Sequence, residues 1–310
     1  MENIREMAHS LQNVYRNIVL KLKALNPDEE ARAMADRLFE YYLNITPTQR
    51  IISGTAPVDE GKMHSINDSV SRLLNHVPLQ YVLGTACFMD MEFDVNPDVL
   101  IPRPETEELV SLMLKAFSEK KPKSKLRILD IGTGSGCIAI SLKRFLPEAE
   151  VTAVDISKEA LRLASVNALK NKVAVNFIHA DILDQMQWES LPQCDVIVSN
   201  PPYVTLSERQ LMQPNVLDYE PHTALFVPDD DPLIFYRLIM AFAEIRLANK
   251  GCLWFEINEQ FGEELKDMAL SQGFKEVNII FDIRGKSRFL QCSKKRNSTT
   301  NQFIINKTKI

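Results

Sequence analysis

A chain of 310 residues, 45% hydrophobic and 25% charged, is long enough to bury a full core and divides naturally into one or two soluble domains. Its net charge of -5 weighs against a nucleic-acid binder, which needs clustered Lys and Arg to neutralise phosphates. Five scattered cysteines without a C-x-x-C pair and five histidines without ligand spacing point to a reducing compartment, no disulfide framework and no metal. The acidic start, Met1-Glu2-Asn3-Ile4-Arg5-Glu6, is not expected to be a signal or transit peptide, and no apolar run is long enough to span a membrane. The expected location is cytoplasmic.

From Ile4 to Leu25, apolar residues Ile4, Met7, Leu11, Val14, Ile18 and Leu22 recur at three- and four-residue steps, which predicts an amphipathic helix. Asn26-Pro27-Asp28 breaks it and caps a second, with Ala31, Met34, Ala35, Leu38 and Tyr42 on its buried side, ended by Thr46-Pro47. Ser65 to Asn75 reads as a third. Residues 1–77 are therefore expected to form a small helical domain, either a docking surface or a structural appendage. Pro78 to Gly84, Ala86-Cys87-Phe88 and Met91 to Val95 are short runs parted by Gly and Asp, so residues 78–100 read as a linking β-hairpin. Ile101-Pro102-Arg103-Pro104-Glu105-Thr106-Glu107 is a stiff turn feeding a helix from Glu105 to Phe117.

Beyond Leu126 strands and helices alternate. Strands are expected at Leu126–Ile131, Val151–Asp155, Val173–Ile178, Asp195–Ser199 and Cys252–Ile257. Helices are expected at Cys137–Phe145, Lys158–Lys170, Leu233–Ala248 and Phe261–Gln272. Two closing strands near Val277–Phe281 and Ser287–Gln291 have no helix between them and should pair antiparallel at one edge. This is an α/β pattern, a mostly parallel Rossmann-like sheet over residues 101–292 with helices on both faces. The polar, basic stretch 293–310 reads as a frayed tail.

Four stretches carry the chemistry. Asp130-Ile131-Gly132-Thr133-Gly134-Ser135-Gly136 joins the first strand of the sheet to its helix, where such folds bind ligands. Its third glycine comes one residue too early for the dinucleotide fingerprint, and Cys137 takes the expected place. A ligand without a pyrophosphate suits that spacing better. Asp155 ends the second strand, where a carboxylate can accept both ribose hydroxyls or merely cap the next helix. Asp181 and Ile182 follow the third strand, where an acid or its neighbour flanks an adenine, or where Asp181 is a cap. Asn200-Pro201-Pro202-Tyr203 follows the buried run Val196-Ile197-Val198. Two prolines stiffen that loop. The Asn200 side-chain oxygen and the Pro201 carbonyl are two close acceptors able to grip both hydrogens of an –NH2 group, with Tyr203 as a flat face beside it. A Pro-rich turn closing a strand is the plain alternative.

With these residues in view, the chain resembles class I S-adenosylmethionine-dependent methyltransferases. More narrowly, it is similar to the protein-(glutamine-N5) methyltransferases that modify peptide chain release factors. The resemblance extends to the Pro-Arg-Pro-Glu-Thr-Glu turn, to Asp218-Tyr219-Glu220-Pro221 and to Asp282, Gly285, Lys286 and Arg288. It implies S-adenosylmethionine as cofactor, held by Gly132, Thr133, Gly134, Ser135, Gly136, Asp155, Asp181, Ile182 and Asn200. It implies Asn200, Pro201 and Tyr203 as catalytic residues, with Pro202 also at the substrate. The family usually carries a large aromatic where this chain has Ile182. The implied substrate is the glutamine of a Gly-Gly-Gln loop in class I release factors, held by the N-terminal helices, with no membrane, metal or direct nucleic-acid partner. The rival readings are an N-methyltransferase of an exocyclic amino group in nucleic acid, a methyltransferase of a ribosomal protein glutamine, a non-catalytic cofactor binder and a nicotinamide dehydrogenase.

Overall fold

The Ser10 hydroxyl accepts a hydrogen bond from the Asn13 amide and starts α1 (Leu11–Leu22), whose stripe of Leu11, Val14, Tyr15, Ile18, Val19 and Leu22 is buried. The computed structural model describes residues 10–120 and 125–294, so the expected turns at Ile4 and Met7 lie outside the described residues, as does the tail beyond Lys294. Next come α2 (Asp28–Leu43), with three acids in its first turn to complement the helix dipole, α3 (Pro47–Ile52) and α4 (Glu60–Leu74). Thr46-Pro47 does more than end α2. Thr46 and Gln49 form a reciprocal capping box that opens α3.

Pro78 to Gly84, expected in a hairpin, is a helical turn instead, α5 (Leu79–Leu83), closed by Gly84 at φ 73°. Tyr81, Val82 and Leu83 are all buried in succession, which a helix wedged in a core allows and an alternating strand does not. These helices share one core of Leu22, Ala35, Leu38, Phe39, Ile66, Val70 and Val82. They form one of two compact units, with residues 1–86, 95–97 and 211–220, and the Tyr219 hydroxyl donates to the Asn75 carbonyl at 2.6 Å within it. A two-stranded hairpin, β1 (Thr85–Phe88) and β2 (Met91–Asp94), follows α5.

The second unit holds α6 (Pro104–Lys120), β3 (Arg127–Ile131), α7 (Cys137–Phe145), β4 (Glu150–Asp155), α8 (Lys158–Lys170), β5 (Asn176–His179) and β6 (Cys194–Ser199). Two short strands, β7 (Val204–Thr205) and β8 (Phe226–Val227), pair beyond β6. Before β8 comes the one-turn helix α10 (His222–Leu225), and after it α11 (Ile234–Arg246), β9 (Leu247–Glu256), α12 (Gly262–Ser271), β10 (Glu276–Phe281) and β11 (Ser287–Ser293), while the one-turn helix α9 (Pro214–Leu217) belongs to the first unit. The seven-stranded sheet runs β10-β11-β9-β6-β3-β4-β5. Strands β3, β4, β5, β6 and β9 are parallel, and β11 runs against both β9 and β10. The closing strands thus pair antiparallel as expected, with β11 inserted between β9 and the edge.

Alternation along the central strands builds two cores. Ile128, Val196 and Trp254 face Leu109, Met113, Ile138 and Leu142 of α6 and α7. Their neighbours Leu129, Ile197 and Phe255 face Tyr236, Ile239 and Phe242 of α11 and Leu265 of α12. The chain leaves β3 for β4 on one side and returns as β6 on the other. This reversal of strand order opens a crevice at the carboxyl ends of β3 and β6, where ligands bind in open α/β sheets.

Candidate functional site

The turn after β3 is held by its own backbone. The Gly132 and Thr133 amides both donate to the Val154 carbonyl, at 2.8 and 3.0 Å. The Gly134 amide donates to Asp155 Oδ2 at 2.9 Å, while Asp155 Oδ1 accepts from the Ser157 amide at 2.9 Å. Asp155 therefore latches the glycine turn from the tip of β4. Burial raises its pKa, and the Ser157, Gly134 and Ile156 amides work against that rise. Gly136 stands at φ 84°, packed so closely that an added Cβ would lie 2.8 Å from Ile140 Cδ1 and 3.1 Å from Ala164 Cβ. Only glycine satisfies that backbone and that space together.

Beneath the turn, Asp130 is fully buried and Oδ2 accepts from the Thr133 hydroxyl at 2.7 Å. Burial pushes its pKa up to about 7, opposed by Thr133 and by the nearby Ala139 amide. That amide closes no bond of normal geometry, and Oδ1 is left without a hydrogen-bond partner. A raised carboxyl binds a proton more tightly folded than unfolded, so Asp130 costs stability as pH climbs from near 4 through about 7. Asp130→Asn should therefore gain stability over the parent in that window, on the order of 3 kcal/mol by pH 8 and nothing near pH 3. Urea unfolding at several pH values, without added ligand, checks this. A difference that stays constant with pH would refute it.

A partly open cavity of about 100 Å³ lies beside this turn. Gly132, Asp155, Asp181, Ile182, Pro201 and Pro202 line it, six of the residues expected at a site. The Thr133 and Ser135 side chains are buried, so around these two the turn offers backbone rather than side chains to a ligand. Asp181 Oδ1 accepts from the Leu183 amide at 2.9 Å. Ile182 is buried with its carbonyl accepting from Trp188 Nε1 at 2.8 Å. The aromatic in the cavity wall comes from elsewhere, Phe235 on α11. Helical spacing makes Phe235 look like any core residue, so nothing in the sequence marks it.

The loop after β6 begins at Ser199, whose hydroxyl donates to the Ile131 carbonyl at 2.7 Å and ties the two strand ends together. Asn200, half-buried, donates through Nδ2 to Thr106 Oγ1 at 3.2 Å. Thr106 in turn donates to Glu256 Oε2 at 2.7 Å, and the Tyr203 hydroxyl donates to Glu256 Oε1 at 3.1 Å. Asn258 Nδ2 donates to the Tyr203 carbonyl at 3.2 Å, and the Tyr236 hydroxyl to the Glu256 carbonyl at 3.1 Å. Among the described residues nothing donates to Asn200 Oδ1 or to the Pro201 carbonyl. Two unused acceptors on adjacent residues thus stand beside the cavity wall. Burial and the Glu256 charge keep the Tyr203 pKa well above the ordinary phenol range, so Tyr203 is no base at neutral pH. Burial also raises Glu256, against the pull of Thr106, Tyr203 and Arg288.

Thr106 and Glu256 were not among the expected site residues. Thr106 sits in the Pro-Arg-Pro-Glu-Thr-Glu turn, where the charged neighbours draw the eye. Glu256 left a clearer trace, an acid inside the otherwise apolar run Leu253 to Ile257. An acid there must be paired, and a paired buried acid marks a site. Among the described residues no group of three or more His, Cys, Asp and Glu could hold a metal, and no helix is long and apolar enough to cross a membrane.

Comparison with known proteins gives the family and the fold. The family model "PrmC N-terminal domain" matches residues 13–84, and "Methyltransferase small domain" matches residues 107–216. The chain is similar to the release factor glutamine methyltransferase of Flavobacterium psychrophilum, 40% identical over 282 residues, 91% of this chain and 98% of that protein. It is also similar to the protein of that name from Bacteroides thetaiotaomicron, 42% identical over 275 residues, 88% of this chain and 96% of that one. Among solved structures, the catalytic domain of hMettl16 in complex with a 3'UTR hairpin shares the fold, with a TM-score of 0.53 and 16% identity over 78% of this chain and 85% of that one. With two-fifths of its residues shared across nearly the whole length of both partners, the chain belongs to the release factor glutamine methyltransferase family.

Proposed function

We propose that the protein transfers a methyl group from S-adenosyl-L-methionine to the side-chain amide nitrogen of the glutamine in the Gly-Gly-Gln loop of class I peptide chain release factors. The observation that carries this reading is the pair of unpartnered acceptors, Asn200 Oδ1 and the Pro201 carbonyl, at the edge of the cavity. A primary amide presents two hydrogens to them. Accepting both fixes the amide plane and returns electron density to a nitrogen whose lone pair is otherwise spread into its carbonyl. No ordinary base could deprotonate that amide beforehand, so positioning and polarisation must do the work.

The residues around the cavity fit the methyl donor. Ile131, Ile156, Ile182, Phe235 and Ile239 offer apolar walls to a purine and Asp155 a carboxylate to ribose hydroxyls, while beneath the glycine turn, outside the lining, Asp130 Oδ1 is a buried acceptor without a partner. When bound, the cofactor supplies a methyl made electrophilic by its sulfonium. Asp155 retains lone pairs for two hydroxyls while it holds the Gly134 and Ser157 amides. Phe235→Ala should weaken cofactor binding about tenfold by calorimetry, the scale of a lost aromatic contact. Unchanged affinity would remove Phe235 from the purine wall.

The N-terminal helices, residues 1–77, would hold the body of the release factor, with residues 78–100 as linker and 101–292 as the transferase. The direct test is mass spectrometry of the release-factor loop peptide after incubation with purified protein and S-adenosylmethionine. One added methyl on the glutamine is expected. An unmodified loop alongside a methylated nucleic acid or ribosomal protein would overturn the proposal.

A further inference from the structure

We propose that Glu256, acting through Thr106, decides which end of the Asn200 carboxamide is tied down and which is left free for the substrate amide, and so is a positioning residue for the transfer. The proposal rests on the reading of Asn200 as the group that grips the substrate amide. An ionised carboxylate only accepts. Glu256 receives two hydroxyl protons, from Thr106 at 2.7 Å and Tyr203 at 3.1 Å. The single proton of Thr106 is thereby committed, and toward Asn200 its oxygen can only accept. Asn200 must then turn Nδ2 to Thr106, at 3.2 Å, which leaves Oδ1 on the opposite side. That contact is the sole side-chain anchor of Asn200 among the described residues.

Without Glu256 the Thr106 hydroxyl could equally donate to Oδ1. The carboxamide would be free to flip and would then confront a substrate –NH2 with an –NH2 of its own, donor against donor. A Leu or Met would fill the same space without the cost of desolvating a charge, yet a carboxylate that is 1% exposed stands here. Its surroundings are arranged to keep it. The hydroxyls of Thr106 and Tyr203 and the Arg288 guanidinium from β11 oppose the effect of burial on its carboxylate, while Glu105 of α6 is the charged neighbour that disfavours ionisation. Protonation of Glu256 allows the relay to run backwards, because a carboxylic acid can donate to Thr106 and Thr106 to Oδ1.

The experiment measures kcat, KM and cofactor affinity with a release factor and labelled S-adenosylmethionine for Thr106→Ser, Thr106→Val, Glu256→Gln, the Thr106→Val/Glu256→Gln double variant and Asn200→Ala. Thr106→Val and Glu256→Gln are each expected to lower kcat about 10- to 100-fold, with KM and cofactor affinity within about twofold of the parent. Thr106→Ser, which keeps the hydroxyl, should stay within about threefold. The double variant should lose no more than the worse single, because both cut one chain. The acid limb of the parent kcat profile should disappear in Glu256→Gln. If Glu256→Gln fails to fold, the near-isosteric Thr106→Val against Thr106→Ser decides alone. Parental kcat in Thr106→Val and Glu256→Gln with Asn200→Ala inactive overturns the inference and spares the reading of Asn200. An active Asn200→Ala overturns that reading, and the relay with it. Additive losses accompanied by weaker cofactor binding also overturn the inference, since they describe a merely structural role.

Discussion

Asn200→Ala is expected to reduce kcat for release-factor methylation by about three orders of magnitude while cofactor affinity changes by no more than about threefold. The split follows from the geometry. Ser199, Pro201 and Pro202 line the cavity whereas Asn200 does not, so the cofactor loses little. On the proposed function, the substrate amide would lose one of its two acceptors, the kind of loss that costs about 3 kcal/mol in the transition state. Asn200→Asp is a sharper probe. Its carboxylate keeps an acceptor but cannot donate to Thr106, whose proton is already given to Glu256. Three oxygens would then face one another with a single proton among them. We expect Asn200→Asp to be nearly as slow as Asn200→Ala, although aspartate is the closest isostere. A variant with parental kcat, measured by single-turnover methyl transfer, would rule out the two-acceptor grip.

Gly136→Ala should destabilise the protein by about 3 kcal/mol and lower Tm by about 6 °C, with cofactor affinity falling in step. Two costs add at this position. A side chain at φ 84° is strained by about 1–2 kcal/mol, and its Cβ would stand 2.8 Å from Ile140 Cδ1 and 3.1 Å from Ala164 Cβ in a region where α7 and α8 are packed. Gly273 separates the two. It has φ 91° and nothing within 4 Å of an added Cβ, so Gly273→Ala should cost about 1–2 kcal/mol and leave cofactor binding alone. Equal losses at the two sites, read by thermal unfolding, would show that backbone strain accounts for everything and that the close packing under the turn is irrelevant.

Much of this architecture was legible because periodicity is a local property. The helices Cys137–Phe145 and Lys158–Lys170 fall where the spacing of their apolar residues puts them, and each β-strand of the parallel sheet falls within a few residues of its expected place. Where one local signal had two meanings, packing chose. Pro78 to Gly84 could alternate or coil, and a core that buries Tyr81, Val82 and Leu83 together selected the helix. Between Val204 and Val227 the chain runs through three short helical segments bracketed by two two-residue strands, all too short to leave a period.

The same division holds at the site. The glycine turn, Asp155 and the Asn-Pro-Pro-Tyr loop are contiguous signals, so the sequence alone could nominate them for a nucleoside-type ligand and an –NH2 substrate. Strand order brought the turn after β3 and the loop after β6 to one crevice, 68 positions apart in the chain, as the Ser199 to Ile131 hydrogen bond records. Tertiary structure alone decided that Asn200 answers to Thr106, 94 residues away, and Thr106 to Glu256, 150 residues away. Residue types advertise what bonds they can make, but the direction of a hydrogen bond depends on how many protons its partners have already committed, and that count exists only once the partners have met.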